Sequence, residues 1–200
     1  MRKKLVALTA MALAVLLTGC GPATFLFPLY TESDKTFDET LVGKWKQVPK
    51  PGDKELDPAH WIFKRNKDDG ESYDFSLGSS DPKKGALLSR ARLVRLKDAL
   101  FINFETPDLE KRGVMQAPAP SINANFIGRI RIEQDKVRID MLEDTWVEKQ
   151  VKAGTLPLSY IAAPQGILLT ARTEELRKFV VEHAEDKNIF SDSYELTREK

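Results

Sequence analysis

The chain has 200 residues, with 31 Lys and Arg against 30 Asp and Glu and a formal net charge of +1. That balance excludes a bulk electrostatic attraction to nucleic acid or to an anionic lipid surface, and the length suits one domain with its own core. The single cysteine, Cys20, excludes a disulfide framework within the chain and a site built from several thiolates.

In chain order, Arg2, Lys3 and Lys4 precede an apolar run over residues 5–17, and the small residues Thr18 and Gly19 follow. These are the three parts of a secretory signal. The run is shorter than the roughly 20 residues that a bilayer-spanning helix needs, and Pro22 and Pro28 follow soon after, so the segment is expected to be cleaved. Leu17-Thr18-Gly19-Cys20 resembles the lipobox of bacterial lipoproteins. The resemblance implies that the Cys20 thiol carries a diacylglyceryl group, that residues 1–19 are removed as a signal peptide, and that the freed amine is acylated. The membrane is then a partner through lipid. Gly21, where an Asp retains many enterobacterial lipoproteins at the inner membrane, points to the outer membrane facing the periplasm in a Gram-negative host. Without the three basic residues of the signal, the remainder is slightly acidic.

Residues 20–38 show no sustained period and read as a lipidated N-terminus and tether, with Phe25, Phe27 and Tyr30 free to rest at a lipid interface or on the domain. The domain itself is expected over residues 39–200. Its strongest signal is period-two alternation over 126–142: Phe126, Ile130 and Ile132 share one strand face, and Arg129, Arg131 and Glu133 the other. After a turn at Gln134-Asp135, Val137, Ile139 and Met141 alternate with Lys136, Arg138 and Asp140. A two-residue turn sets Glu133 opposite Lys136, Arg129 opposite Asp140 and Arg131 opposite Arg138. This basic face reads as an ordinary solvated surface in preference to an anion site.

A second hairpin, residues 86–105 turning at Lys97-Asp98, pairs Leu93 with Ile102 and Ala91 with Phe104, with Arg92 and Asn103 facing out. Val94, Leu96 and Phe101 break its alternation, which calls for a twist, a bulge or a covering segment. Shorter strands are predicted at 41–48, 61–64, 73–77, 167–171 and 194–198. A short helix is predicted at 145–152 after an Asp144 cap and before Gly154. A longer one begins at a Thr173 cap and carries Leu176, Phe179, Val180 and His183 on one face.

Eight antiparallel strands, a helix and a short last strand form the lipocalin layout, and two motifs agree with it. Gly43-Lys44-Trp45 resembles the lipocalin G-x-W motif, and Arg172-Thr173-Glu174-Glu175-Leu176 resembles the segment whose Arg packs over that Trp. The resemblance implies a mainly β fold, an antiparallel lipocalin-like eight-stranded barrel with a C-terminal helix packed on it and a short extra helix. It also implies that Trp45 and Arg172 close one end in a cation–π contact. Gln134-Asp135 stands where lipocalins carry a Thr-Asp-Tyr-like turn, and the helix at 145–152 is an insertion.

Such a barrel either fills its interior or holds a small apolar ligand. Residues 49–59 and 106–123 are long enough to line its mouth, the second placing Val114, Met115 and Ile122 near an opening. No H-E-x-x-H, G-x-S-x-G or Gly-rich phosphate loop occurs. His183 with Asp186 is too small a set for a metal, and His60 with Asp57 lacks a nucleophile. The expectation is a non-catalytic protein without metal, cofactor or nucleic acid. It binds either a small apolar ligand or, as an envelope assembly or scaffold protein, another protein; a hydrolase using carboxylates is the remaining alternative.

Overall fold

The computed structural model describes residues 21–50, 58–78, 86–106, 123–164 and 166–199. Twelve strands are present: β1 Thr24–Phe25, β2 Lys35–Thr36, β3 Gly43–Gln47, β4 His60–Arg65, β5 Tyr73–Gly78, β6 Ala86–Leu96, β7 Ala99–Glu105, β8 Asn125–Ile132, β9 Lys136–Leu142, β10 Tyr160–Ala163, β11 Gly166–Leu169 and β12 Phe190–Arg198. Helix α1 spans Asp144–Ala153 and α2 spans Thr173–Glu182.

Strands β3 to β9 pair in sequence as an antiparallel meander, and β12 pairs with both β9 and β3. The result is a closed eight-stranded antiparallel barrel, lipocalin-like in architecture, with no free edge in its wall. The eighth wall strand differs from the expected layout. Residues 166–169 form β11 outside the barrel, hydrogen-bonded to β10 and β1, and the wall is completed by the last strand, which comes after α2.

Alternation set the register of both long hairpins. Arg92 pairs with Asn103, Leu93 with Ile102 and Ala91 with Phe104, while Arg129 pairs with Asp140 and Arg131 with Arg138. Arg131 and Arg138, directly opposed, do not repel freely because Asp140 accepts from both, at 2.7 and 2.8 Å, and Ser193 donates to it as well. The basic face is therefore internally neutralised, with Arg129 paired to Glu185 and Arg138 also to Glu195.

Two apolar clusters result from this wall. Inside lie Trp45, Phe63, Tyr73, Leu93, Ile102 and Ile139, among others. Outside, Val94, Leu96, Phe101 and Ile127 are buried beneath α1, α2 and the N-terminal segment. The interrupted alternation of the second hairpin is thus explained by covering, with no register shift. On α2 the buried stripe is Leu176, Phe179 and Val180, and the His183 ring packs 4.7 Å from Phe179. Arg172 and Glu143 occupy the N-cap positions, one residue before the expected Thr173 and Asp144. Thr173 Oγ1 instead donates to the Pro28 carbonyl, tying α2 to the N-terminal segment.

That segment is not a tether. Ala23, Phe25 and Leu29 are buried, and β1 joins β8 to β11. Asn103 Oδ1 accepts from the Leu29 amide at 3.0 Å while its Nδ2 donates to Asn125 Oδ1. The chain then crosses to β6 through β2 and enters a 3-10 turn, Glu39–Leu41, at the opposite end of the barrel. Its lack of period reflects this path: each residue meets a different neighbour across the outside of the wall.

Candidate functional site

The two ends of the barrel are built differently. At one end β4–β5, β6–β7 and β8–β9 are joined by short connections, and the interior is sealed. Trp45 is fully buried there and its indole N–H donates to the Leu41 carbonyl at 2.9 Å. The guanidinium of Arg198 lies 4.2 Å from the Trp45 ring. It also donates through Nη1 to Val42 O at 3.1 Å, through Nε to Gln134 O at 3.1 Å, and through Nη2 to Thr40 O. Gly43 has φ +141°, and a Cβ there would stand 2.8 Å from Arg198 Nη1. The G-x-W spacing thus has a physical reading: glycine leaves the space through which an arginine reaches the tryptophan face.

The expected partner was Arg172, and this is corrected. Arg172 is exposed at the start of α2, with its guanidinium 6.0 Å from the Phe27 ring. Because β12 rather than β11 completes the wall, the arginine beside Trp45 comes from the last strand, where Arg198 and Trp45 are register partners.

At the other end the wall stays open around an apolar pocket of 440 Å³, within the range of about 300–1,000 Å³ found for small-molecule sites. Its floor is aromatic. Trp61 contacts Phe75, Phe104 and Tyr194 at ring separations of 5.4, 6.2 and 5.2 Å, and Phe75 also meets Phe63 at 5.0 Å. Leu77, Leu87, Phe126 and Met141 form the sides, and Pro22 stands at the lip. Gly128 shapes this wall: a Cβ there would lie 2.7 Å from Met141 Sδ and 3.0 Å from Ile139 Cγ2.

Four polar side chains reach the lining, and each already has a partner within the protein. Gln47 Oε1 accepts from the Trp61 indole at 3.1 Å, and Thr106 Oγ1 accepts from the Ala124 amide at 2.9 Å. Ser89 Oγ donates to the Glu105 carbonyl. Tyr194 OH donates to Asp192 Oδ2 at 2.6 Å, and burial followed by that carboxylate pushes the phenol well above its ordinary range. The lining is dominated by aromatic and aliphatic side chains, so the pocket favours apolar matter.

Strands β3, β5 and β7 all end on this side of the barrel, since they run the same way. Val114, Met115 and Ile122, expected at a mouth, lie outside the described residues, as do Cys20 and Asp57. The aromatic floor was not singled out from the sequence, although every member sits on an inward face of the alternation.

His60 Nδ1 stands 2.7 Å from Glu199 Oε1 on the outer surface, and Asp186 Oδ1 accepts from Asn188, not from His183. Among the described residues no group of three or more metal-ligating side chains occurs, and no helix is long and apolar enough to cross a membrane.

The fold and pocket together define a closed antiparallel barrel sealed at one end and apolar and open at the other. No protein-family model, no curated protein and no solved structure matches the chain.

Proposed function

We propose that the mature protein, lipid-anchored through Cys20 in a bacterial envelope and most simply on the periplasmic side of an outer membrane, binds a small apolar ligand in the open end of its barrel without transforming it. The observation that carries this reading is the 440 Å³ pocket with its aromatic floor and apolar sides. The lipobox-like Leu17-Thr18-Gly19-Cys20 supports the anchor, and the Gly43-x-Trp45 resemblance, with an arginine over the tryptophan, supports a lipocalin-like carrier.

The test is native mass spectrometry of the unlipidated mature chain, C20S, secreted to the periplasm of its own host. Residues 21–35 must be kept, because Phe25 and Leu29 are part of the core. An apolar molecule retained by this chain and lost in Leu77→Asp and Phe126→Asp supports the carrier. A folded but empty barrel in repeated preparations refutes it and favours an envelope scaffold acting through its surface.

A further inference from the structure

The position of the chain's first described residues bears on where the ligand comes from. Pro22 lines the pocket, bridges to Glu143 just beyond β9, and is followed by Ala23, whose amide donates to the Leu142 carbonyl at 2.8 Å. Phe25 pairs with Asn125 at the start of β8. The N-terminal segment therefore lies across the seam where β8 and β9 separate at the open end. Cys20 precedes Pro22 by two residues, and two residues span at most about 7 Å of extended chain. A lipid on Cys20 therefore joins the chain within that reach of Pro22, a residue of the open end.

The rim agrees with that placement. Among the described residues the exposed large apolar side chains are Leu87, Leu88 and Val48 at this end, at 51%, 40% and 39%, and Ile161 and Tyr160 on β10, at 57% and 39%. Exposed apolar side chains around an opening are stable against hydrocarbon and costly against water.

We infer that the anchor holds the mouth of the barrel against the bilayer, and that the pocket takes an acyl chain of a neighbouring membrane phospholipid. This rests on the lipid-anchored carrier reading and specifies its ligand. An acyl chain asks for apolar volume and nothing else, which matches a lining of aromatic and aliphatic side chains in which each of the four polar ones is held by a bond within the protein. The headgroup stays outside, at the water interface, so the pocket needs no charged residue to receive it.

Trp61, only 4% exposed at the pocket floor, is the reporter. The lipidated protein is reconstituted in phosphatidylethanolamine–phosphatidylglycerol vesicles whose acyl chains are brominated at mid-chain, because bromine quenches indole emission only at contact. Quenching of the share of one tryptophan among three, absent in Trp61→Phe and reduced in Ser89→Leu, which fills the pocket, is the expected result. Circular dichroism confirms that both variants are folded.

The remaining arms separate the sources. Absence of Trp61-dependent quenching in the lipidated protein overturns the inference. If C20S in solution is nevertheless quenched by a brominated fatty acid, the carrier reading survives and only the membrane-facing mouth falls. If C20S added to the vesicles is quenched while the lipidated protein is not, the protein's own anchor fills the pocket, and a neighbouring lipid is excluded. If no arm shows quenching at Trp61, both readings fall together.

Discussion

Arg198→Ala tests the sealed end of the barrel directly. The side chain makes three hydrogen bonds to backbone carbonyls and stacks on Trp45. Hydrogen bonds from a charged donor contribute about 1.5–3 kcal/mol each, and the stack about 0.5–2 kcal/mol. These terms do not add in full, because the side chain is 28% exposed and water replaces part of what is lost. We expect a net loss of about 3 kcal/mol, which for a domain of this size lowers the melting temperature by about 6–12 °C. Urea unfolding followed by tryptophan emission measures the first quantity and calorimetry the second. Arg172→Ala, exposed and 6.0 Å from Phe27, is the matched control and should fall within about 0.5 kcal/mol of the unaltered protein. A cost for Arg198→Ala no larger than for Arg172→Ala would refute the assignment of Arg198 as the residue that seals this end.

Gly43→Ala should also destabilise, by strain at φ +141° and by crowding Arg198, and combining it with Arg198→Ala should cost less than the two separately, as a double-mutant cycle will show. Asp140→Ala leaves Arg131 opposite Arg138 without their shared acceptor; since both arginines are about half exposed, chemical denaturation should register about 1–3 kcal/mol, less than for a fully buried pair. The hydrogen bond from Arg177, with help from Thr31, holds the Asp34 carboxyl below its ordinary range. A depressed folded value means that this contribution is present above about pH 4 and is lost as the pH falls through the folded value, so Arg177→Met should flatten the acid limb of the stability profile. Burial, then the Glu105 carboxylate, pushes the Tyr30 phenol up to about 12. A raised folded value keeps its contribution intact below about pH 10 and loses it as the pH rises further, so Tyr30→Phe should flatten the alkaline limb.

Much of the wall was legible because a strand with one wet and one dry face writes its register into alternation. Leu93 opposite Ile102 and Arg129 opposite Asp140 follow from parity and turn length alone. Val94, Leu96 and Phe101 were legible as an anomaly, and the covering segments resolve it. The N-terminal segment was not legible, because Ala23, Phe25 and Leu29 are buried without a repeating period and fixed by Asn103 and Asn125, which are distant in sequence. The sealing arginine was missed for a related reason: proximity to Trp45 is decided by which strand completes the barrel, and both β11 and β12 satisfied the local pattern. The open end was partly legible. In an up-and-down meander every second strand ends on the same side, so β3 and β7 had to end together, but only the register told which inward aromatics lie at the floor.

The pairing of β12 with β3 joins Leu196 to Gln47, so the wall cannot be completed until Phe190–Arg198 has been made. Contacts this far apart in sequence delay folding, because a long loop must be ordered before its ends reward the cost. While Phe190–Arg198 is still being made, β3 and β9 each lack the neighbour that will join them, and the cylinder is finished only when that one segment docks between them.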